Sequence, residues 1–219
     1  MAKVLIGCET SGIVRDAFLA RGHDAWSCDL LPSDTPTNRH IQGDIRDVMQ
    51  DDWDLMAVMH PPCTRLCNSG VRWLTAPPAD RSLDDMWKEL DDGAALFSAV
   101  WNVPHIPCIA VENPVMHRHA KERIANYQKP AQTVQPWQFA TDPEGPDNER
   151  KRTCFWLRDL PTLRPTGTLD GTCARDSVHK ASPGPDRWKL RSKFFPGIAA
   201  AMAHQWGDHA SNLHAARAA

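Results

Sequence analysis

The sequence predicts an α/β fold, with a doubly wound, mostly parallel sheet and helices on both of its faces. Three observations predict it. Several apolar segments, among them "KVLIG" and "WDLMAV", are continuous rather than alternating, which is typical of strands buried on both faces. The segments between them carry apolar residues at helical spacing. Small or acidic residues then follow several of the strands, at the edge where open α/β sheets bind their ligands.

Each predicted element follows from a local pattern. The first strand, "KVLIG", runs into a turn of small residues, and "IVRDAFLARG" has the apolar spacing of a helix that ends at Gly22. Further strands are predicted in "HDAWSCDL", "HIQGDIRDV", "WDLMAVMH", "IPCIAVENP" and "TCFWL". Apolar residues interleaved with acids predict a long helix over residues 82–100, and "PGIAAAMAHQWG" predicts a last helix entered through Pro196.

Bulk composition is that of an ordinary globular protein. Apolar residues make up 42% and charged residues 24% of the chain, and no apolar run approaches the roughly 20 residues of a membrane helix. The N-terminal segment does not have the pattern of a secretory signal, and the seven cysteines form no framework of pairs. We therefore expect a cytoplasmic protein with reduced thiols and no membrane association.

The predicted domain boundaries follow a change in composition. Residues 1–157 form the α/β domain, 158–190 a small irregular basic region, 191–207 a helix that packs back on the domain, and 208–219 a flexible tail. Residues 1–147 carry 13 basic and 21 acidic side chains, a net charge of −8, whereas residues 148–193 carry 11 and 5, a net charge of +6. The basic region is either an anion-binding surface or a solvated loop region.

The ends of the first strands suit a nucleoside-type ligand. The turn from Gly7 to Gly12 has neither the GxGxxG spacing nor the lysine of a phosphate-binding loop, which disfavours a nucleotide phosphate site. Asp29, 17 residues beyond Gly12, is placed to accept hydrogen bonds from ribose hydroxyls, and Asp44 is placed to accept one from an exocyclic amine. Taken singly, either acid also fits an exposed strand end.

The stretch "MHPPCTRLCNSG" places Cys63 directly behind two prolines and a buried strand. Prolines end a strand and hold the next side chain still, so Cys63 is either a positioned nucleophile or an inert buried thiol. A following helix N-terminus or Arg65 would lower its pKa. Glu112, at the end of a neighbouring strand, is either a proton donor with a pKa raised by burial or part of a strand-ending turn.

Zinc binding is the competing interpretation of this region. Cys63, Cys67, His117 and His119 have the right residue types. The cysteines are four apart rather than in a CxxC pair, and the histidines are two apart rather than three to five. The spacing therefore disfavours a metal site, and we expect no metal.

"PPC" after an apolar strand, followed after a helix by a strand ending in "EN", resembles the central motifs of cytosine carbon-5 DNA methyltransferases. The other motifs are similar in the same order along the chain: "VLIGCETSGIVRDAFLARGHDAWSCD", "GDI", "HPPC", "VENP", "ERKRTCFWL" and "RSKFFPGIAAAMAHQW". The resemblance covers about residues 3–157 and 191–207, and it is to the small versions carried by phages. It implies a Rossmann-like S-adenosylmethionine-dependent catalytic domain over residues 1–157.

The resemblance implies a role for each site residue. Cys63 would add to carbon 6 of cytosine, which makes carbon 5 nucleophilic toward the methyl group of S-adenosylmethionine. Glu112 would bind and protonate ring nitrogen 3, and Arg152, with Arg150, would bind the pyrimidine oxygen or a nearby phosphate. The implied cofactor-binding residues are Gly7, Glu9, Ser11, Gly12, Asp29, Asp44 and Pro61. Pro114 stands where the family usually has valine, and only Gly7 and Gly12 remain of its glycine-rich first motif.

The implied partner is double-stranded DNA, from which the target base is flipped. Residues 158–190 would form a minimal target-recognition region, so direct readout should cover a short site of about two or three base pairs. We expect a monomer in which cations contact mainly phosphates. The predicted DNA-binding residues are Arg65, Arg158, Arg187, Lys189, Arg191 and Lys193.

Two alternatives stay open from the sequence. The same chemistry on RNA or on a free cytidine nucleotide would suit the short recognition region and the net charge of −2. A non-catalytic, methyltransferase-like protein that binds DNA or a partner protein is the second. Salt-dependent affinity for duplex DNA distinguishes the first, and the importance of Cys63 distinguishes the second.

Overall fold

The computed structural model describes residues 1–180, 182, 191–192 and 194–218, and it confirms the predicted α/β fold. The strands are β1 Lys3–Gly7, β2 Asp24–Asp29, β3 His40–Gln42, β4 Leu55–Val58, β5 Cys108–Asn113, β6 Gln132–Val134 and β7 Thr153–Arg158. The α-helices are α1 Ile13–Ala20, α2 Ile45–Val48, α3 Leu83–Asn102, α4 Arg118–Arg123, α5 Ser177–Lys180 and α6 Pro196–Ala218. Two 3₁₀ helices span Asn68–Leu74 and Pro136–Phe139.

The strands form one seven-stranded sheet in the order β3-β2-β1-β4-β5-β7-β6. Neighbouring strands among β1 to β5 pair in parallel, and β7 is antiparallel to both β5 and β6. The carboxyl ends of six strands and the amino end of β7 therefore lie along one edge, which we call the carboxyl edge. The chain reverses sheet direction beyond β1, so this edge is where an open α/β sheet binds ligands.

The sheet is covered on both faces, which explains its unbroken apolar strands. Successive residues of a strand point to opposite faces. Phe155 packs against Trp206 of α6, with ring centroids 5.4 Å apart, and defines the α6 face. Its neighbour Trp156 packs against Phe97 of α3, with centroids 5.3 Å apart, and defines the α3 face. Because both faces are buried, alternation of polar and apolar residues is lost.

Several short elements were not predicted, among them β6 and α4. The β6 strand has three residues and pairs only with β7, at the edge of the sheet. The six-residue α4 begins at His117, whose ring accepts a hydrogen bond from the Ala120 backbone at 3.2 Å. Both elements depend on partners distant in sequence or on a single capping group, so local periodicity does not indicate them.

The last helix corrects the prediction of a flexible tail over residues 208–219. Helix α6 continues to Ala218, and Ala210 is buried against the core. Asp208 pairs with Arg21 at 3.3 Å, and His214 lies 2.7 Å from Asp54. These contacts hold the last turns on α1 and on the segment before β4. No described helix is both long and apolar enough to cross a membrane.

The first part of the predicted recognition region belongs to the α/β domain. Leu163 is buried, and its backbone N–H donates to Gln132 at 2.7 Å. The Pro161 carbonyl accepts from the Trp206 indole at 2.8 Å, and Gly167 donates to the Gln138 carbonyl at 2.9 Å. The predicted boundary at residue 158 is therefore too early. Residues 181 and 183–190, which include predicted DNA-binding positions, lie outside the described residues.

Candidate active site

The structure brings the predicted strand-end residues to the carboxyl edge. The turn after β1 lies beside Asp29 at the end of β2. This is shown by the negative charges of Asp29 and Asp44, which are close enough to help raise the pKa of the Cys8 thiol. Cys63 follows β4, and Glu112 stands next to last in β5. Since β4 and β5 are paired in parallel, Cys63 and Glu112 emerge side by side. Two neighbouring subsites result, one at β1 and β2 and one at β4 and β5.

The turn after β1 has a compact backbone that needs its glycines. Cys8 and Gly12 have left-handed φ angles of 57° and 72°. A side chain at Gly12 would collide with the guanidinium of Arg15, and one at Gly7 with the side chain of Ile45. Glycine fits both positions because it has no Cβ. The predicted roles of Gly7 and Gly12 thus have a basis in close backbone packing.

Glu9 caps α1. Its Oε1 accepts from the Val14 amide at 2.7 Å and from the Ser11 hydroxyl at 3.2 Å, and its Oε2 accepts from the Arg15 amide at 3.2 Å. Burial raises the pKa of this carboxyl, although these hydrogen bonds oppose the shift. Both oxygens are occupied, so Glu9 and Ser11 shape the turn rather than present free acceptors to a cofactor.

The other two predicted cofactor acids differ from each other. The Asp44 carboxylate caps α2 and pairs with the Arg46 guanidinium, whose hydrogen bond holds the pKa of Asp44 below its usual value. Asp29 is partly exposed, and among the described residues its carboxylate accepts one hydrogen bond, at Oδ1 from the Leu31 amide at 2.9 Å. Leu30 beside it is 70% exposed. Asp29 therefore has a free oxygen next to an apolar surface, whereas Asp44 does not.

A hydrogen-bond chain fixes the loop that follows Asp29. The buried Arg15 donates to the Ser27 hydroxyl at 3.0 Å, and this hydroxyl lies 2.8 Å from His40 Nδ1. His40 Nε2 lies 3.0 Å from the carbonyl of Leu31, so Nε2 carries the proton and Nδ1 accepts from Ser27. No local pattern indicates this series of hydrogen bonds, because its members come from α1, β2 and β3.

The loop after β4 holds Cys63 in a fixed position. Pro61 is buried, and the Cys63 carbonyl accepts from the amides of Leu66 and Cys67, both at 3.0 Å. The side chain is partly exposed, yet burial raises the pKa of the thiol to about 12, with Glu112 adding to the shift and Lys151 opposing it. Cys63 is therefore a protonated thiol in the protein alone, and not the thiolate that the sequence suggested.

Arg65 does not take its predicted place. Its guanidinium pairs with Glu89 of α3 at 2.8 Å, and the side chain is only 11% exposed. Glu89 also pairs with Arg81. This ion-pair network anchors the Cys63 loop to α3, so Arg65 has a structural role in place of the predicted contact with DNA.

Glu112 is a fully buried carboxyl with unused acceptors. His60 Nδ1 makes a close contact of 3.0 Å with Glu112 Oε2 that falls short of a well-aligned hydrogen bond, and Oε1 has no partner within the described residues. Both amide atoms of the adjacent Asn113 are likewise buried and without a described partner. Buried polar atoms are rarely left unpaired unless a ligand or a function requires them.

The charge state of Glu112 corrects the prediction of a raised pKa. Burial by itself raises the pKa of this carboxyl, but His60 and Lys151 together hold it below its ordinary value. Burial and the nearby Lys151 lower the pKa of His60. At neutral pH the pair is therefore a carboxylate beside a neutral imidazole.

Lys151 is a site residue that the sequence analysis missed. Its charge acts on Cys63, Glu112 and His60, and its Nζ lies 5.7 Å from the centre of the Phe195 ring. Burial lowers the pKa of the ammonium, against the opposing effects of Glu112 and Cys63. Lys151 is therefore the cation of the Cys63–Glu112 cluster.

Strand alternation explains why Lys151 lies there. Phe155 of β7 is directly opposite Glu112 of β5, so both side chains point to the α6 face. Counting back by twos from Phe155 reaches Lys151, whereas Arg152 has the parity of Cys154 on the α3 face. The signal was present in the sequence, but it required the register between β5 and β7.

The structure therefore argues against the predicted contact of Arg150 and Arg152 with the oxygen of the base. Arg150 donates to the carbonyls of Gly171 and Thr172 at 2.9 and 3.2 Å and holds that loop. Arg152 is exposed and makes neither a hydrogen bond nor an ion pair with any residue that the structure describes. It remains available to a ligand approaching from outside, but it is not directed at Glu112.

The remaining predicted DNA-binding residues divide into three cases. Arg158 lies at the opposite edge of the sheet and donates to the carbonyls of Val103 and Ile106, both at 2.6 Å, so its predicted contact with DNA is wrong. Arg191 lies close enough to Lys151 for its charge to act on it. Arg187, Lys189 and Lys193 lie outside the described residues.

The zinc alternative finds no support in the geometry. His117 Nδ1 accepts from the Ala120 amide, and its Nε2 lies 2.5 Å from the Arg65 carbonyl and must donate to it. The ring thus has no lone pair left for a metal. In the part of the chain that the structure describes, no group of three or more His, Cys, Asp or Glu side chains is arranged to hold a metal ion.

Comparisons of the sequence with models of known protein families and with curated proteins give no match.

Proposed function

We propose that this protein transfers a methyl group from S-adenosylmethionine to carbon 5 of cytosine in DNA, through a covalent adduct at Cys63. The observation that carries the proposal is the buried Glu112, whose two carboxylate oxygens are without a well-aligned partner and face the cluster that contains Cys63. A polar heterocycle with adjacent nitrogen atoms would satisfy these oxygens. A simple buried thiol in a core would need no such acceptors beside it.

The residues divide the chemistry among them. The Cys63 thiol loses its proton as the sulfur bonds to carbon 6, the ring π electrons shift toward carbon 5 and nitrogen 3, and Glu112 carries that proton to nitrogen 3. Lys151 stabilises the developing thiolate by its charge, and Pro61 and Pro62 keep the sulfur in place. After methyl transfer, carbon 5 loses its proton to water, the bond from sulfur to carbon 6 breaks, and the proton on nitrogen 3 returns through Glu112 to the Cys63 sulfur.

The subsite at β1 and β2 fits the cofactor. S-adenosylmethionine supplies an electrophilic methyl group when bound. The free oxygen of Asp29 would accept a ribose hydroxyl, and the exposed Leu30 offers apolar surface to an adenine ring. The tight turn from Gly7 to Gly12 allows backbone approach, whereas Glu9 and Asp44 support the site through the helices that they cap.

The fold and the charge distribution also support the proposal. The mixed sheet, in which only β7 is reversed, is compatible with the Rossmann-like fold that the proposed S-adenosylmethionine-binding domain would have. The exposed Arg152 precedes β7 and so lies toward the carboxyl edge, and the charge of Arg191 acts on Lys151 in the site. These two cations would contact the phosphates around a flipped base.

The test uses purified protein, labelled S-adenosylmethionine and three substrates: duplex DNA, RNA and free dCMP. Products are digested and resolved as nucleosides, with Cys63→Ser as the test variant and Cys173→Ser, at an exposed position, as its matched control. We expect 5-methyldeoxycytidine from duplex DNA with the wild type and the control, and none with Cys63→Ser. Product only from RNA or dCMP would replace the substrate, and no product despite cofactor binding would overturn the proposal.

A further inference from the structure

His60 lies just after β4 and contacts Glu112 of the neighbouring strand β5. It directly precedes the two prolines of the Cys63 loop and has a left-handed φ of 53°, which a residue other than glycine rarely adopts. Its ring lies against Phe194, with centroids 5.6 Å apart, and its Nδ1 is 3.0 Å from Glu112 Oε2. A strained backbone that places an imidazole on a buried carboxylate indicates a functional constraint.

The protonation of the pair is fixed by its geometry. An ionised carboxylate only accepts hydrogen bonds, so the ring nitrogen beside it must carry the proton. His60 therefore has its proton on Nδ1 and a lone pair on Nε2. That Nε2 is buried and has no partner among the described residues, so the imidazole holds an open acceptor inside the site.

The proposed reaction needs a proton to move in this place. Attack by the Cys63 thiol releases one proton from sulfur, and nitrogen 3 of the base takes up one. The groups that face His60 and Glu112 are Lys151, which precedes β7, Cys63 on the loop after β4, and Arg191, whose charge acts on Lys151. Lys151 and Arg191 are cations that carry no acceptor for a proton.

We propose that His60 is a positioning residue that holds Glu112 Oε2 through its Nδ1–H and so directs Oε1 at nitrogen 3 of the base. Glu112, whose charge acts on the Cys63 thiol, takes up the proton that this thiol releases and delivers it to nitrogen 3. His60 keeps its Nδ1 proton throughout, so the imidazole stays neutral. This inference rests on the proposed function, which supplies the reaction.

The first test does not depend on activity. Nitrogen-15 spectra of histidine-labelled protein at pH 7.5, assigned to His60 by comparison with His60→Asn, report which ring nitrogen is protonated. We expect the Nδ1–H form. Observation of the Nε2–H form would overturn the inference even if the protein methylates DNA, because Nδ1 would then have no proton to donate to Glu112.

The second test uses single-turnover methylation with His60→Asn and His60→Gly. Asparagine tolerates a left-handed φ and keeps a donor near the position of Nδ1, whereas glycine relieves the backbone and removes the group. His60→Gly should be about 10- to 100-fold slower at pH 7.5, and His60→Asn should recover part of that loss. The wild-type rate should fall as the pH drops below about 6.5, when the imidazole becomes protonated, and this inflection should be missing in both variants.

The exposed His204→Asn serves as the matched control and should keep both the rate and the inflection. Variants that are slower by one factor at every pH, with the inflection intact, would show that His60 only supports the structure. A wild type without any methylation would reject the proposed function instead, and the nitrogen-15 result would still stand on its own.

Discussion

The positive charge of Lys151 is the strongest single influence that favours a thiolate at Cys63, since Glu112 and Cys67 both act against it. A nucleophilic cysteine works as the thiolate, and a neighbouring cation is one of the few ways to stabilise that form in a buried place. The residue also holds the buried carboxylate of Glu112 in its ionised form. Its removal should therefore affect two groups at once.

Lys151→Gln should slow methyl transfer by about 10- to 100-fold, because the thiolate and the Glu112 carboxylate both lose their neighbouring cation. The matched Arg152→Gln variant removes a charge one residue away, on the opposite face of the sheet. It should mainly weaken DNA binding and reduce its salt dependence. Single-turnover rates and binding at two salt concentrations separate these effects, and equal losses of rate in the two variants would contradict the assignment.

Cys63 should be a slow target for alkylation in the protein alone, because its pKa of about 12 leaves it protonated at neutral pH. Iodoacetamide followed by peptide mass spectrometry should modify the exposed Cys173 well before Cys63 at pH 7.5. The rate at Cys63 should rise steadily with pH up to the limit of stability. Faster modification of Cys63 than of Cys173 at neutral pH would show that the thiol is already activated.

At the scale of single elements, the first helix depends on one side chain. Glu9 receives hydrogen bonds from two amides at the start of α1, and it is buried. Helix N-termini leave several N–H groups without an intrahelical partner. The acid that the sequence suggested as a cofactor ligand therefore supports the turn that we propose to approach the cofactor.

Glu9→Ala should lower the free energy of unfolding by about 1–2 kcal/mol, since it removes a cap and leaves buried amides unpaired. Asp29→Ala removes a partly exposed carboxylate and should leave stability within about 0.5 kcal/mol while weakening S-adenosylmethionine binding. Urea unfolding and calorimetric titration measure the two quantities. A large loss of stability in Asp29→Ala, with unchanged cofactor affinity, would reverse the two assignments.

At the scale of the whole molecule, three buried histidines make stability depend on pH. Burial lowers the pKa of His23, His60 and His117 below the ordinary value of 6.5. The unfolded state then binds protons at a higher pH than the folded state, so this contribution to stability is complete above about pH 6.5 and is lost as the pH falls. Glu9, with its raised pKa, acts in the opposite direction at lower pH.

The free energy of unfolding should therefore decrease between pH 7.5 and 5.5, and the decrease should be smaller in His23→Gln. His23 packs edge-on against Phe18, with ring centroids 5.7 Å apart. It directly precedes β2 and so lies at the opposite end of that strand from the carboxyl edge. The exposed His204→Gln is the control and should keep the wild-type slope. Denaturant midpoints at several pH values provide the measurement, and an unchanged slope in His23→Gln would contradict the prediction.

The sequence predicted the sheet well because its strands are buried on both faces and their apolar runs are strong local signals. It predicted Cys63, Glu112 and Asp29 because they stand directly at strand ends. It missed His60 and Lys151, whose roles arise only when β4, β5 and the segment before β7 meet. The predictions for Arg65 and Arg158 were wrong because the partners of both, Glu89 and the carbonyls of Val103 and Ile106, are distant in sequence.

Because β7 runs opposite to β5, the residues that precede β7 lie beside Glu112, and a shift in the pairing of β5 and β7 would change which of them faces it. Cations occupy three successive positions before this strand, and only the middle one, Lys151, faces Glu112. A slip of β7 by one residue against β5 would turn Lys151 away and bring Arg150 or Arg152 in its place. The packing of Phe155 and Trp156 would be lost, but a positive charge would still stand beside the carboxylate. An arginine on either side of Lys151 could therefore replace its positive charge after such a shift.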